Sequence, residues 1–410
     1  MNDIMSPGTP NSLPIYLDNQ ASTPVDPRVL EAMLPYFTID YANPHSESHV
    51  YGHRAMAAID EARAQVAALI HADPREIVFT SGATEANNLA LKGVAHFARE
   101  HPTANGPNGG SPRDHIVTLK TEHKCVLESC AALEREGFRV TYLDVAENGL
   151  LDLAAFEAAL TEQTLIASVL AAHNEIGVIQ PLAEVGALCR AKGVLLHTDA
   201  AQALGKIPLD VEAMKIDLMS MSGHKLYGPK GVGALYIRRR PRVRLVPLID
   251  GGGQERGLRS GTLPTPLVVG FGKACALAAA EMADEAGRLK DLRERLRENL
   301  TRRVPGLIVN GDLEHRLPGS LNVSIPDTTA PDLIEACQSI AISTGSACTS
   351  ASVEPSYVLR ALGLSDERAN ASIRVGLGRF TTEADVDYAA DAIAAAAARL
   401  RVKKGEGKPT

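Results

Sequence analysis

Lys225 closes the stretch Ser222-Gly223-His224-Lys225, which follows the apolar run Ile216 to Met221 and precedes the turn residues Gly228-Pro229-Lys230-Gly231. An amine placed where a strand opens into a loop can form a Schiff base with an aldehyde. The hydroxyl and imidazole beside it suit a phosphate on the same molecule. A lysine taken alone is most often a solvated surface group, so the weight rests on its companions. Asp199 ends the run Val194 to Thr198, 26 positions before Lys225, and a carboxylate at the C-terminal end of a strand faces the crevice where α/β proteins bind ligands. There it can keep a pyridine nitrogen protonated, and Gln202 can bond a phenolic oxygen on the same ring. Ser81-Gly82-Ala83-Thr84-Glu85 follows Ile77 to Thr80 and opens a helical pattern. It gathers amides, hydroxyls and a helix dipole where an anion can sit. The bland reading is a helix cap, with Glu85 completing a capping box. Together the residues point to pyridoxal 5'-phosphate.

Four further residues extend the set. His123, in Thr121-Glu122-His123-Lys124, can stack on the ring and move a proton near neutral pH. Asn174, in His173-Asn174-Glu175-Ile176-Gly177, can reach cofactor or substrate, or form a simple Asn turn. Arg374, in Ser372-Ile373-Arg374-Val375-Gly376, can clamp a substrate carboxylate or make a structural ion pair. Cys348 stands among small hydroxylated residues, Ser343 to Ser352, without apolar periodicity. That context describes a loop thiol open to nucleophilic chemistry, whereas Cys189 and Cys337 lie in apolar helical settings.

The elements that must hold these residues alternate helical stretches with short β-rich runs at Ile77–Thr80, Ile116–Leu119, Val140–Leu143, Leu165–Leu170, Val194–Thr198, Leu218–Met221 and Val232–Ile237. Alternation of this kind predicts an α/β fold with a mostly parallel seven-stranded sheet, and apolar runs without period-two alternation predict strands covered on both faces. Residues 16–262 are expected to form this large domain, and 263–400 a small α+β domain with strands near Leu307–Val309, Ser320–Ile325 and Ser372–Val375. Residues 1–15 read as a loose leader near the small domain, His101 to Asp114 as a surface loop, and the basic end from Arg399 as frayed, with 401–410 a flexible tail.

At 410 residues two domains are expected. A net charge of −7 argues against direct nucleic-acid binding, and no uninterrupted apolar run reaches the length of a membrane span. The leader lacks a secretory pattern, and the six cysteines show no metal-ligand pairing, so a reduced, cytoplasmic setting is expected. Five arginines between Arg238 and Arg244 are most simply a solvated strand end; an acidic protein docking on them is the sharper alternative.

From Tyr16-Leu17-Asp18-Asn19-Gln20-Ala21-Ser22-Thr23-Pro24 to about Arg379 the chain resembles the pyridoxal-phosphate cysteine desulfurases of the NifS/IscS kind, in the class V aminotransferase group of fold type I. The motifs that carry the likeness are Thr80 to Glu85, Thr121 to Lys124, Asn174 to Val178, Ser220 to Gly233, Arg256 to Pro264 and Ser343 to Leu362. The resemblance implies that Lys225 holds the cofactor aldehyde and that Ala83, Thr84, Ser222 and His224 hold its phosphate, joined by Thr262 of a neighbouring subunit in a homodimer. His123 would stack on the ring and Asp199 pair with its nitrogen, while Asn174 and Gln202 support it. It further implies that Arg374 binds the carboxylate of L-cysteine and that Cys348 carries the sulfur as a persulfide to acceptors such as an iron-sulfur scaffold protein. No metal of its own is implied beyond a transient iron-sulfur ligand role for Cys348 shared with a scaffold. Two departures stand out: the chain ends in Arg401-Val402-Lys403-Lys404 and a short tail where housekeeping members carry a long scaffold-contacting extension, and His173 stands where many relatives carry Asn. A selenocysteine lyase or aminotransferase on the same fold and a non-catalytic scaffold are the alternatives, and Cys348 is the residue that discriminates among them.

Overall fold

The computed structural model describes residues 13–101, 113–344 and 355–406. Its strands are β1 (Ile15–Tyr16), β2 (Ile77–Thr80), β3 (His115–Leu119), β4 (Arg139–Leu143), β5 (Thr164–Ser168), β6 (Leu195–Asp199), β7 (Leu218–Ser222), β8 (Gly233–Ile237), β9 (Ile308–Val309), β10 (Ser320–Ser324), β11 (Ile340–Ala341) and β12 (Ser372–Gly376). Seven of them form one sheet in the order β2-β8-β7-β6-β5-β3-β4. It is parallel except for β8, which runs antiparallel to both neighbours. The exception has a local cause, because the connection from β7 to β8 is too short for the helical crossover that a parallel partner requires. That short connection is the segment carrying Lys225.

Every residue of β2, β3, β5, β7 and β8 is buried, as expected for strands with helices on both faces. Edge strand β4 has no fully buried residue and opens with the exposed Arg139, the kind of edge that resists pairing with another chain. The C-terminal ends of β3, β5, β6 and β7 lie on one side of the sheet, where the helix Ala83–Glu100 also begins after β2.

Sheet β12-β10-β9 is antiparallel and forms a second core with the helices Thr265–Arg303 and Glu383–Glu406. Val386, Ala389, Ala390, Ile393, Ala396 and Ala397 recur with helical period along the buried side of the last helix. The helix Thr265–Arg303 serves both cores. Val268, Phe271, Ala274, Cys275 and Ala278 pack beneath the large sheet, whereas Leu289, Leu292, Leu296 and Leu300 join the small core. By length and composition this one helix could cross a membrane, but its apolar side lies in these cores. The change of core therefore falls inside a continuous helix, because helical rise alone carries the chain across.

Other features depart from the sequence reading. Strands β1 and β11 pair in parallel through only two residues each. The last helix reaches Glu406, past the fraying expected from Arg399. Within the arginine cluster, Arg238 turns inward to Asp217 at 3.5 Å and is not a solvated strand end. The cysteines among the described residues, Cys125, Cys130, Cys189, Cys275 and Cys337, are buried free thiols.

Candidate functional site

At the strand ends lies a cleft of about 580 Å³, lined by Ala83, Thr84, His123, Asn174, Asp199, Gln202, Ser222, His224, Lys225 and Arg374 together with Gln20, Cys125 and Lys230. Ten residues singled out in the sequence thus converge. Thr262 is exposed and does not line the cleft, and Cys348 lies outside the described residues.

One end of the cleft suits an anion. The helix Ala83–Glu100 starts from Gly82 without a side-chain cap, so its first-turn amides stay available. Glu85 does not cap the helix start reciprocally; it accepts Ser81 N–H at 2.7 Å and Arg259 Nε at 2.9 Å, which ties the turn to the Gly251–Gly261 loop. Although burial opposes it, Arg259 and Ser81 hold the Glu85 carboxyl below the ordinary range. A Cβ at Gly233 would meet Met221 O at 2.3 Å and Gly82 Cα at 2.7 Å, so only glycine lets β8 start this close to the anion turn. His224 lies 3.2 Å from Ser22 Oγ through Nδ1. Burial, then the charges of Lys225, Lys230 and Lys206, push its imidazole down to about 4, and it is neutral at pH 7.

The amine end is set by the N-terminal segment. Lys225 Nζ donates to Gln20 O at 2.6 Å and Ala21 O at 2.9 Å. Gln202 Nε2 donates to the same Gln20 carbonyl at 2.8 Å, and Lys206 Nζ donates to Gln202 Oε1 at 3.2 Å. Lys206 is pushed down to about 7 by burial and by Lys225, against the pull of Glu285.

The floor is a polar network. Asp199 accepts Ala201 N–H at 2.9 Å and Asn87 Nδ2 at 2.7 Å, and Asn87 Nδ2 lies 2.9 Å from Cys125 Sγ. His123 caps the helix Lys124–Arg135. Its Nδ1 accepts Cys125 N–H at 3.3 Å and lies 2.9 Å from Cys125 Sγ. Since Nδ1 accepts a backbone N–H, the neutral ring is assigned its proton on Nε2. Behind Asp199, His197 bridges Ser168 at 2.8 Å and Ser220 at 3.0 Å across β5, β6 and β7. Glu122, buried next to this network, is pushed well above the ordinary carboxylate range by desolvation and then by the charge of Asp199. One of its oxygens accepts Leu170 N–H at 2.6 Å.

At the remaining wall, Arg374 donates to Asp18 Oδ1 at 2.6 Å and to Asn174 O at 2.8 Å, and Ser343 Oγ donates to the same Asp18 oxygen at 3.0 Å. The guanidinium therefore both lines the cleft and makes the ion pair that the bland reading expects.

Sequence reasoning missed Asn87, Cys125, Lys206 and the Gln20 and Ala21 carbonyls as site contributors. Asn87 stands one helical turn after Ala83, a spacing that places both on one face. Gln20 and Ala21 belong to the Tyr16–Pro24 motif, where the function falls to main-chain atoms that residue type does not advertise.

Residues 15–389 match the aminotransferase class-V family. The cysteine desulfurase of Mus musculus is 58% identical over 388 residues, covering 95% of this chain and 82% of that protein. Cysteine desulfurase IscS of Rickettsia rickettsii (strain Iowa) is 53% identical over 390 residues, covering 95% and 92%. Among solved structures, a NifS-like protein aligns with a TM-score of 0.85 at 37% identity, over 93% of this chain and 99% of that one. SspA in complex with cysteine aligns with a TM-score of 0.76 at 38% identity, over 90% and 100%. With likeness of this extent across nearly its whole length, the chain belongs to the class-V aminotransferases and, within them, to the cysteine desulfurases of the NifS/IscS kind.

Proposed function

We propose that this chain converts L-cysteine to L-alanine with pyridoxal 5'-phosphate and takes up the sulfur on Cys348. The observation that carries the reading is the grouping, around one cleft, of an uncapped helix start, the Lys225 amine, the pinned Asp199 carboxylate and the Arg374 guanidinium. This donor set fits the cofactor. When bound, pyridoxal phosphate supplies an electrophilic aldehyde and a ring that draws electron density from the substrate's α-carbon.

The first-turn amides near Ala83 and Thr84, with Ser222 and His224, would hold the phosphate; the neutral imidazole would donate to it without adding a charge that burial opposes. Asp199, kept in place by Asn87 and Ala201 N–H, would hold the proton of the ring nitrogen, and Gln202 would bond the phenolic oxygen. His123, at the cleft wall, would lie against the ring, with its Nε2–H able to supply a proton there. Lys225 would hold the aldehyde end of the cofactor, and its amine is the group placed to move the substrate's α-proton. Arg374 orients the substrate carboxylate beside Asn174. The Cys348 thiolate then attacks the substrate sulfur: the carbon–sulfur bond breaks, a sulfur–sulfur bond forms, and alanine leaves after the β-carbon gains a proton. The persulfide passes to acceptor proteins such as an iron-sulfur scaffold.

A homodimer completes the pocket, with Thr262 reaching a neighbour's phosphate. Its exposure, together with exposed Leu34, Phe37, Ile39 and Tyr41, supports that assembly. The buried free thiols support a reducing, cytoplasmic setting.

The test is direct. After incubation with L-cysteine, mass spectrometry is expected to find one added sulfur on the Cys348 peptide and alanine in solution. Cys348→Ala is expected to keep the cofactor's visible absorbance and release no sulfide. Sustained turnover by Cys348→Ala, or a chain that takes up no cofactor, would overturn the proposal.

A further inference from the structure

We propose that His123, Cys125 and Asp199 form, in the cofactor-free chain, a site for a thiophilic divalent ion such as zinc, and that this ion and the cofactor exclude one another. A His123 ring nitrogen, Cys125 Sγ and an Asp199 carboxylate oxygen all lie within 4.8 Å of one another. Imidazole nitrogen, thiolate sulfur and carboxylate oxygen are the ligand types of zinc, and tetrahedral bonds place such atoms about 3.5 Å apart. One pair, Nδ1 and Sγ, is 2.9 Å apart, so an ion taking the place of the thiol proton between them requires this pair to open slightly. The long contact from Cys125 N–H to Nδ1, 3.3 Å, is given up in exchange.

Two further observations separate this triad from a chance cluster. Cys125 stands where its hydrophobic cluster meets the cleft and lines it, whereas Cys189 and Cys275 do not. Asn87 is fully buried and its Nδ2 stands 2.9 Å from Sγ and 2.7 Å from Asp199 Oδ2, so one amide braces two of the three ligands from behind, as outer partners of metal sites do. The cleft leaves the fourth position open to water, and no electron transfer is involved.

The exclusion rests on the reading given above, in which His123 and Asp199 hold the cofactor ring; the metal site itself does not. A ligated Asp199 cannot take a ring nitrogen's proton, and a ligated His123 cannot lie against the ring. Zinc would then capture chains that have lost or not yet gained cofactor.

The experiment uses tag-free full-length protein with Cys348→Ala, so that only Cys125 supplies a cleft thiolate, freed of cofactor with hydroxylamine. Cobalt(II) is the probe. One equivalent is expected to bring up a thiolate-to-cobalt band in the near ultraviolet and the visible bands of four-coordinate cobalt. Adding Cys125→Ser is expected to abolish the ultraviolet band, and adding Asp199→Asn to weaken binding at least tenfold, with circular dichroism unchanged. Zinc is expected to displace the cobalt and to slow cofactor uptake at least tenfold, reversed by a chelator; in the Cys125→Ser protein, zinc should leave uptake as it is without zinc. Persistence of the band in Cys125→Ser, or its absence with Cys125 intact, overturns the site. Unslowed uptake with zinc bound overturns the exclusion, and a metal-free chain that takes up no cofactor at all sinks the cofactor reading while leaving the cobalt result standing.

Discussion

Asp199 owes its position to Asn87, and the two are expected to fail together. Asn87→Ala removes a charge-assisted hydrogen bond from a carboxylate that is 7% exposed, a loss on the order of 2 kcal/mol. Cofactor dissociation, followed by absorbance, should accelerate at least tenfold while the fold survives. Lys225 and Asp199 were legible in the sequence because each is a reactive type at the end of a strand-like run, and Arg374 because it is one set within such a run. Asn87 was not, since its role depends on the rotation of the helix Ala83–Glu100 against β6, which spacing within one element does not reveal. Cys125 was not singled out, for the same reason. Its proximity to His123 arises from a capping turn, and a cap looks alike in sequence whether it faces solvent or a cleft.

Among the elements, the seven sheet strands were readable to within a residue or two, because burial on both faces writes a largely apolar run in all but the edge strand β4. Pairs as short as β1 and β11 carry no pattern, and the run of Thr265–Arg303 gives no sign of the point at which it leaves one core for the other. The β7-to-β8 connection makes its own prediction. Gly233→Ala must push its Cβ away from Met221 O and Gly82 Cα, at a cost of about 1–3 kcal/mol, and the displaced anion turn should weaken phosphate affinity more than it lowers the melting temperature; equal affinity would mean the close approach is incidental. A second element-level anchor is the buried pair Arg63–Glu255, whose two hydrogen bonds are both 2.8 Å and whose carboxylate also accepts Phe79 N–H at 2.8 Å. Arg63→Ala is expected to cost about 3–5 kcal/mol, seen as a lower denaturation midpoint and freer proteolysis within Gly251–Gly261.

For the whole molecule, pH acts through groups buried near the cleft. His173 and His197 are held at about 4 by desolvation, well below the 6.5 of a solvated imidazole. Their folded values are depressed, so the stability they contribute is intact above 6.5 and is lost as the pH falls towards 4, where the unfolded chain takes protons that the folded one refuses. Each contributes on the order of 3 kcal/mol across that window. Urea midpoints should therefore fall steeply between pH 6.5 and 4, and His197→Gln should flatten the slope whatever it does to the baseline. Glu122 runs the other way. Its raised value means that stability is present below the unfolded carboxyl value and is lost as the pH climbs through the folded one. Glu122→Gln should hence gain stability at alkaline pH relative to the parent.

The segment Leu17 to Thr23 touches both of the residues proposed to grip the two ends of the substrate, Lys225 and Arg374. Leu17 is planted in the small core, Asp18 grips Arg374, the Gln20 and Ala21 carbonyls hold the Lys225 amine, and Gly376 has no side chain because Gln20 occupies that space. In the proposed reaction, a single ribbon of backbone would thereby act as a caliper whose jaws are set for an α-amino acid, one for its nitrogen and one for its carboxylate. A homologue with one extra methylene between those groups would find the jaws mismatched, however well its thiol were placed.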